Sequence, residues 1–583
     1  MSALKYLNKY FVKYRYRLIA GIFITIISRI FSLVTPRLVG DSLSVVENYI
    51  KQNSGNLAEV KHQLLINILL IIGATLISGV FTFLMRQLII VMSRLIEFDL
   101  KNEIFKQYER LTLNFYKKNR TGDLMNRISE DVGKVRMYFG PAIMYTINMI
   151  TLFIIVIANM LRIDASLTLY TVLPLPILSL AIYILSRVIN EKSTIVQQYL
   201  SKLTTFSQET FSGIGVIKSY GIEPQTFNEF KNLANESKQK NIDLYKVQAL
   251  FFPMMILLIG VSNILVIYVG GMRYINGQIE TIGVIAEFII YVNMLTWPVA
   301  VVGWVTSMVQ EAEASQKRIN EFLEIEPEIY NTQENPQKIN GKIEFRDVSF
   351  TYDDTHITAL KNISFIAESG KTLAILGKTG SGKSTIAQLI ARLYDVQKGT
   401  ILIDNVPLKD LHLNSLRKQI GFVPQDSFLF SDTITNNIKF GVENATTEEI
   451  ENAAKLADVH QNIIEFKNGY NTILGERGIT LSGGQKQRVS MARALIKNPT
   501  ILILDDCLSA VDTETEEQIL QNLGTFSQGR TTLIISHRVS STKNADKIIV
   551  IDKGIIIQEG THDELLTIDG YYKDLYDEQS LGN

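Results

Sequence analysis

Apolar and polar positions alternate along this chain on two length scales. Before residue 310 the apolar stretches are long, with approximate cores at 18–40, 64–90, 139–161, 165–186, 249–270 and 282–305. Each is long enough to cross a hydrocarbon layer of about 30 Å as a helix, which takes about 20 residues. The first stretch follows Lys5, Lys9, Lys13, Arg15 and Arg17. A cleaved leader also begins with positive charge, but its apolar region is shorter and ends in small residues. Here the run continues through Phe31 and Val34 to Val39, so it reads as a retained spanning helix. Beyond residue 341 the apolar runs shorten to strand length and alternate with helical patterns, as in an α/β domain. The pattern predicts a transmembrane domain of six spans over 1–325, a polar linker over 326–340 with Pro327 and Pro336, and an α/β domain over 341–583.

Composition agrees with this division. Of the 583 residues, 46% are hydrophobic and 20% charged, too apolar for a disordered chain. The 58 basic and 58 acidic residues cancel, but not evenly. Residues 1–325 carry 32 Lys+Arg against 23 Asp+Glu, net +9, which leaves 26 against 35, net −9, for the rest. The positive half is also the apolar half, so nothing points to nucleic acid. The single cysteine, Cys507, excludes a disulfide framework and a cysteine-based metal site.

Loop charge predicts orientation. Ten Lys/Arg lie in 91–138 and eight in 187–247, against two, one and one in 41–63, 162–164 and 271–281. Both termini are therefore expected in the cytoplasm. The two basic segments show apolar residues at helical spacing (Leu95, Phe98, Ile104, Phe105, Tyr108; Leu200, Leu203, Phe206, Phe211), so spans 2 to 5 are expected to continue as helices into the cytosol. Arg29, Arg86 and Glu287 fall inside spans. Such groups face a bundle interior or water, either in a polar translocation path or in a packing pair with no substrate role.

The C-terminal half carries phosphate chemistry. The apolar run 371–376 (KTLAIL) leads into 377–385 (GKTGSGKST), followed by a helical pattern at Ile386, Leu389, Ile390 and Leu393. This is a P-loop in its strand–loop–helix context. Gly377, Lys378, Thr379, Gly380, Ser381, Gly382, Lys383, Ser384 and Thr385 form the expected nucleotide-binding loop. Glycines let N–H groups turn toward phosphate oxygens at a helix N-terminus. Lys383 is expected at the β/γ-phosphates, and Ser384 at Mg²⁺. The run 501–506 (ILILDD) reads as a buried parallel strand ending in two carboxylates. Asp505 suits the Mg²⁺ shell, and Asp506 stands where a water-activating base belongs. The run 533–536 (LIIS) delivers His537 to the same edge. Between them, 481–485 (LSGGQ) opens another helix. Ser482, Gly483 and Gly484 make either a second phosphate-binding end or only a helix cap. Two phosphate-binding ends in one chain invite nucleotides sandwiched between two chains.

In this order the motifs identify a resemblance over essentially the whole length to an ABC transporter half-molecule of the exporter type. The resemblance implies a membrane α-helical bundle of six transmembrane helices with long cytosolic extensions, fused to an α/β P-loop nucleotide-binding domain that uses ATP and Mg²⁺. It implies that Tyr352 is the A-loop aromatic stacking on adenine. Gln425 becomes the Q-loop glutamine, a metal ligand and catalytic-site residue. Leu481 to Gln485 becomes the signature motif, with Ser482, Gly483, Gly484 and Gln485 closing on a partner's ATP. The stretch 509–512 resembles the D-loop, and His537 the switch histidine. The stretch 472–478, with Glu476 and Arg477, resembles the X-loop, and 113–124 and 211–222 resemble the coupling helices.

One position departs from the family. Asp506 stands where hydrolytic sites have Glu after the Walker B aspartate. Asp is one methylene shorter, and a displacement of about 1 Å can cost about a hundredfold in rate. The same substitution marks one subunit of bacterial heterodimeric exporters, and 291–304 (YVNMLTWPVAVVGW) also resembles the sixth span of such multidrug subunits. The expectation is an ATP-driven exporter of hydrophobic or amphipathic compounds in a bacterial cytoplasmic membrane, paired with a second, different half-molecule. A homodimeric lipid or peptide exporter, or an ATP-gated channel or regulatory subunit, stays open. The orientation is checked by a cysteine at Asn276, which an impermeant thiol reagent should label from outside cells. Cysteines at Asn119 and Glu328 should stay unlabelled, and external labelling at Asn119 reverses the assignment.

Overall fold

Helix follows helix from Asn8 to Leu323, as long apolar runs with few breakers require. The computed structural model describes residues 2–52, 57–331, 333–475 and 478–581. Glu476 and Arg477 lie outside the described residues. The chain divides into two compact units, Met1–Gln107 with Gly122–Ile325, and Tyr108–Thr121 with Glu326–Asn583. Residues 108–121 thus group with the C-terminal half, although in sequence they lie between two apolar stretches.

Among the described residues, five helical stretches are long and apolar enough to cross a membrane: Arg15–Lys51, Leu57–Arg110, Thr121–Ile163, Glu223–Ile275 and Gly283–Leu323. The 54 residues of Leu57–Arg110 rise about 80 Å at about 1.5 Å each, far more than hydrocarbon requires. The segment 165–186, expected as the fourth span, has its helical ladder interrupted at Leu173, between Ala165–Val172 and Pro174–Ser212, while Leu173 itself keeps helical dihedrals (φ −51°, ψ −40°). Pro174 and Pro176 carry no N–H, so a continuous ladder cannot form there, and Pro174 instead starts the new helix.

In lipid, apolar helices associate through close packing and interhelical polar bonds rather than through the hydrophobic effect. Gly40 and Gly283 meet backbone to backbone: a Cβ on Gly283 would lie 2.1 Å from the Gly40 carbonyl oxygen. A Cβ on Gly21 would lie 2.8 Å from Ile89. Ser28 Oγ bridges to the Ser78 carbonyl at 3.1 Å and to Thr82 Oγ1 at 2.9 Å. Around these, Val156, Met160, Leu167, Val266, Phe288 and Leu295 form the apolar core.

Two groups of charges tie the helix ends. In one, Glu47 accepts from Tyr274 and from the Ile282 N–H (2.7 Å) and pairs with Lys51 at 2.6 Å, while Arg273 pairs with Asp164 at 3.0 Å. In the other, Glu103 takes Lys9 at 2.7 Å together with Tyr6 and Tyr10, and Asp99 takes Lys13 at 2.5 Å and Tyr14 at 2.9 Å. Asp131, buried, is held by Arg318. The first group joins only segments with few basic residues, and the second ties the basic N-terminus and basic segment 91–138. Of the charges inside the spans, Arg29 donates to Asn148, buried Glu287 accepts from Tyr291 OH at 2.6 Å, and Arg86 is exposed on its helix.

The second unit is built on two sheets. One is antiparallel, with order β2-β1-β4-β5: β1 (Ile343–Thr351), β2 (Thr358–Ala367), β4 (Lys398–Ile403) and β5 (Val406–Pro407). The other has order β10-β9-β3-β8-β7-β6: β3 (Thr372–Gly377), β6 (Ile420–Val423), β7 (Ile501–Asp505), β8 (Thr531–Ser536), β9 (Lys547–Asp552) and β10 (Ile555–Gly560). Its pairings are parallel except at β10. The P-loop helix Lys383–Ile390 buries Ile386, Leu389 and Ile390 in one core with both sheets. A second core joins the helices from Ile434 to Leu495 to the other face of β7.

Close glycine contact predicts a specific sensitivity. Gly283→Val should lower the melting temperature of the detergent-solubilised protein, because the branched side chain meets backbone, and overpacking costs about 1–3 kcal/mol or more. Gly73→Ala, with open space around its Cα, should leave the melting temperature unchanged.

Candidate ATP site

The register of three parallel strands positions the chemistry. In β3 and β8, Leu376 pairs with Ser536, and in β7 and β8, Asp505 pairs with Ile535. The strand ends are level, so the loop after Gly377, the pair Asp505–Asp506 and His537 emerge at one sheet edge. Ligands bind at that edge in open α/β sheets.

Loop 377–385 is shaped by close backbone contact. A Cβ on Gly377 would lie 2.1 Å from the Ile551 carbonyl oxygen, and one on Gly382 would lie 2.4 Å from that of Ala359. Gly382 also has φ of +106°. Lys383 Nζ folds back to donate to the carbonyls of Gly377 (2.7 Å) and Lys378 (2.8 Å). Burial pushes this ammonium below its usual pKa, against the pull of Asp506 and Asp505. Ser381 Oγ is buried and, among the described residues, has no hydrogen-bond partner. An ammonium held only by carbonyls, an orphaned hydroxyl and a glycine cradle at a helix N-terminus fit a polyphosphate.

Ser384 Oγ donates to Asp505 Oδ1 at 2.9 Å. Asp505 is buried, which pushes its carboxyl up to about 6 against the Ser384 hydrogen bond, and the charge of Asp506 adds to the rise. Asp506 is occupied on both oxygens: Oδ1 lies 2.9 Å from His537 Nδ1, and Oδ2 accepts from Gln425 Nε2 at 3.3 Å. Its backbone is left-handed, φ +48°, with its N–H donating to the Ile535 carbonyl at 2.8 Å. The P-loop, Asp505, Asp506, Gln425 and His537 therefore stand together. Cys507, next in sequence, is buried, which pushes its thiol pKa up.

Tyr352 is fixed through its hydroxyl, which bonds Thr385 Oγ1 (3.0 Å) and Gln388 Oε1 (3.2 Å). Its ring faces Lys117 Nζ at 4.6 Å, and Lys117 also lies 5.2 Å from the Tyr394 ring. Lys117 belongs to the short helix Leu113–Lys118, anchored by Asn114 Nδ2 to Glu328 Oε1 (3.0 Å) and Asp353 Oδ2 (3.3 Å). Lys117 and Asn114 carry no local signal beyond lying in the coupling-helix stretch. Their partners are more than 200 positions away, so sequence spacing cannot find them.

The signature stretch stands apart. Ser482 Oγ accepts from Gln485 N at 3.3 Å, and Gln485 Oε1 accepts from Ser482 N at 3.0 Å, a capping box on the helix Gly483–Leu495. Gly484 packs on the loop 509–512, where a Cβ would lie 2.8 Å from the Ala510 carbonyl. Ser482 and Gly483 are exposed, and among the described residues Ser482 and Gln485 make no hydrogen bond to this chain's own P-loop cluster.

A phosphate-cradling sheet edge joined in one chain to membrane-length helices defines a nucleotide-driven membrane protein. The family model for the ABC transporter transmembrane region matches residues 18–299, and that for the ABC transporter matches 360–509. The multidrug resistance-like ATP-binding protein MdlA of Escherichia coli (strain K12) is 36% identical over 99% of this chain and 96% of its own length. An ATP-dependent lipid A-core flippase of Syntrophus aciditrophicus (strain SB) is 36% identical over 82% of this chain and 79% of its own. A solved structure of a bacterial Atm1-family ABC exporter with ATP bound superposes with a TM-score of 0.80 at 27% identity, covering 97% of this chain and 99% of that one. This chain belongs to the ABC transporter family. It is a multi-pass membrane protein, an ABC exporter of the multidrug or lipid type, whose second unit binds ATP and couples its hydrolysis to transport.

Lys383→Ala should abolish photo-labelling of this chain by an azido-ATP analogue, since it removes the ammonium expected at the β/γ-phosphates. Tyr352→Ala should weaken nucleotide affinity about tenfold, within the roughly 1–3 kcal/mol of a base–aromatic stack. Tyr352→Phe, keeping the ring, should bind almost as wild type. Undiminished labelling of Lys383→Ala removes the loop from the nucleotide site.

Proposed function

We propose that this chain is one half of a two-chain exporter of hydrophobic or amphipathic compounds, drugs or lipids, across a bacterial cytoplasmic membrane, and that its partner is a different half-molecule. It crosses the membrane six times, the helices on either side of Leu173 supplying the fourth crossing, with both termini in the cytoplasm. Tyr352 stacks on adenine, residues 377–385 wrap the phosphates, and Lys383 leaves its two carbonyls to neutralise β/γ oxygens. Ser384, Asp505 and Gln425 would hold Mg²⁺, which would supply charge neutralisation at the phosphate oxygens. Ser482 to Gln485 complete the nucleotide site of the partner. Closure of the two nucleotide-binding units draws the helical extensions together and turns the spans from inward- to outward-facing. Loss of the γ-phosphate contacts to Ser482 and His537 reopens them.

The observation that carries the heterodimer reading is the state of Asp506. Its carboxylate is one methylene shorter than the usual base, and both its oxygens are engaged, by His537 and Gln425. A base so held has little reach toward an attacking water. The exposed, self-capped Ser482 is in contrast free of any such defect. This chain then contributes a slow Walker B carboxylate to one site and a competent signature to the other.

The two halves of that statement respond differently to mutation. In the purified two-chain complex, Ser482→Ala in this chain alone should cut ATPase by roughly a hundredfold, by loss of a γ-phosphate contact at the working site. Asp506→Asn should change it by less than about threefold, because its site turns over little already. Equal damage from the two substitutions favours a homodimer with Asp506 as its base.

A further inference from the structure

A cavity of about 290 Å³ opens inside the helical unit, walled by Arg29, Tyr145, Asn148, Asn293, Trp297 and neighbouring apolar side chains. Its chemistry is uneven. Tyr145, Trp297, Met149, Met294 and Leu152 give it an aromatic and aliphatic lining, and two amides give neutral polar points. Arg29 supplies its one charge. The guanidinium donates through Nε (3.1 Å) and Nη2 (2.9 Å) to a single acceptor, Asn148 Oδ1. Among the described residues no carboxylate lies within ion-pair distance of Arg29, and Nη1 makes no hydrogen bond.

Elsewhere in this unit several basic side chains find carboxylates: Arg318 has Asp131, Arg273 has Asp164, Lys9 has Glu103. Arg29, lying mid-way along a spanning stretch, has among the described residues only the neutral Asn148 as a side-chain partner. A cation so placed carries a desolvation cost that an amide oxygen offsets only in part. Asn148 instead fixes the edge of the fork, leaving the Nη1 side free for a bidentate acceptor, the geometry that guanidinium offers to carboxylate and phosphate.

Resting on the exporter reading above, we infer that this cavity is a substrate site selective for anionic amphiphiles, with Arg29 taking a carboxylate or phosphate head and the Tyr145–Trp297 wall taking the apolar body. The anionic head is shared by single-chain fatty acids and by acidic bilayer lipids, and the test separates these sources.

The chain has two tryptophans, so in a Trp304→Phe background the quenching lost on adding Trp297→Phe isolates the Trp297 signal from that of the partner chain and reports on the cavity. The complete transporter is placed in phosphatidylcholine nanodiscs, and quenching of Trp297 is titrated with tail-brominated dodecanoate, dodecanol and dodecyltrimethylammonium, and with brominated phosphatidylglycerol against brominated phosphatidylcholine. Dodecanoate should bind at least about tenfold more tightly than dodecanol or the cation, a difference of about 1.4 kcal/mol. Acidic lipid is a source if phosphatidylglycerol outbinds phosphatidylcholine by a similar factor; otherwise the site takes single-chain anions. Sodium phosphate at the same concentrations should not displace dodecanoate. Arg29→Gln should bring the dodecanoate and dodecanol affinities together, and Arg29→Lys should keep most of the preference. Asn148→Asp supplies an internal counter-ion at the same position and should abolish the preference with Arg29 in place, a check independent of whether Arg29→Gln folds. Equal affinity of dodecanoate and dodecanol in the unsubstituted cavity, or a preference that survives both Arg29→Gln and Asn148→Asp, overturns the inference. If dodecanol and the cation bind and stimulate ATPase without an anionic preference, the exporter reading stands and only this site assignment falls. If no amphiphile binds or stimulates, both fall.

Discussion

Everything at the nucleotide end depends on the shared register of β3, β8 and β7. Parallel strands can bring residues from distant parts of the sequence to one edge, but only if the hydrogen-bond ladders end level. Here Gly377, His537 and Asp505 come from segments up to 160 positions apart, and the pairings Leu376–Ser536 and Asp505–Ile535 bring them to one edge. A one-residue slip in any ladder turns every side chain on that strand to the opposite face. It would exchange Asp505 for its neighbours and separate Ser384 from its carboxylate. The fully buried runs of Leu, Ile and Ala in β3 and β7 oppose such a slip because both faces are packed.

The membrane half solves a different problem with different means. Its helices cannot be held by excluding water, so they meet where glycine allows backbone contact and where hydroxyls and charges find partners. The ionic contacts lie toward helix ends, and they sort by the basic content of the segments they join. This is the spatial counterpart of the charge asymmetry in the loops. Arg29 breaks the rule by sitting mid-span with an amide, and that exception marks the cavity.

Most of the architecture was legible in the sequence because it is written in periodicity and in local motifs. Apolar length announced the helices, and the P-loop and the apolar run before Asp505 announced strand ends with defined chemistry. What was not legible depends mostly on distant pairing. A local exception is 165–186, where hydropathy does not register the missing N–H groups of Pro174 and Pro176 that interrupt the ladder at Leu173. Residues 108–121 read as part of the helical half, yet Asn114 and Lys117 find their partners at Glu328, Asp353 and Tyr352. The shorter Asp506 was visible, but its engagement by Gln425 and His537 was not, because it requires three strand and loop ends to converge. Ser482 illustrates the reverse case, since a capping box and a ligand-binding end have the same local sequence.

The position of Cys507 has a practical consequence. It follows the two site aspartates directly and is sealed into the core beneath them, with its thiol pKa raised by burial and by those negative neighbours. Thiolate is the reactive form, and a buried neutral thiol is inert to aqueous electrophiles. Cys507 should therefore react little with maleimide and nitroxide reagents. Pairs of surface cysteines can be introduced for distance measurements without first altering the residue beside Asp506, leaving the nucleotide site in its natural form while conformational populations are counted.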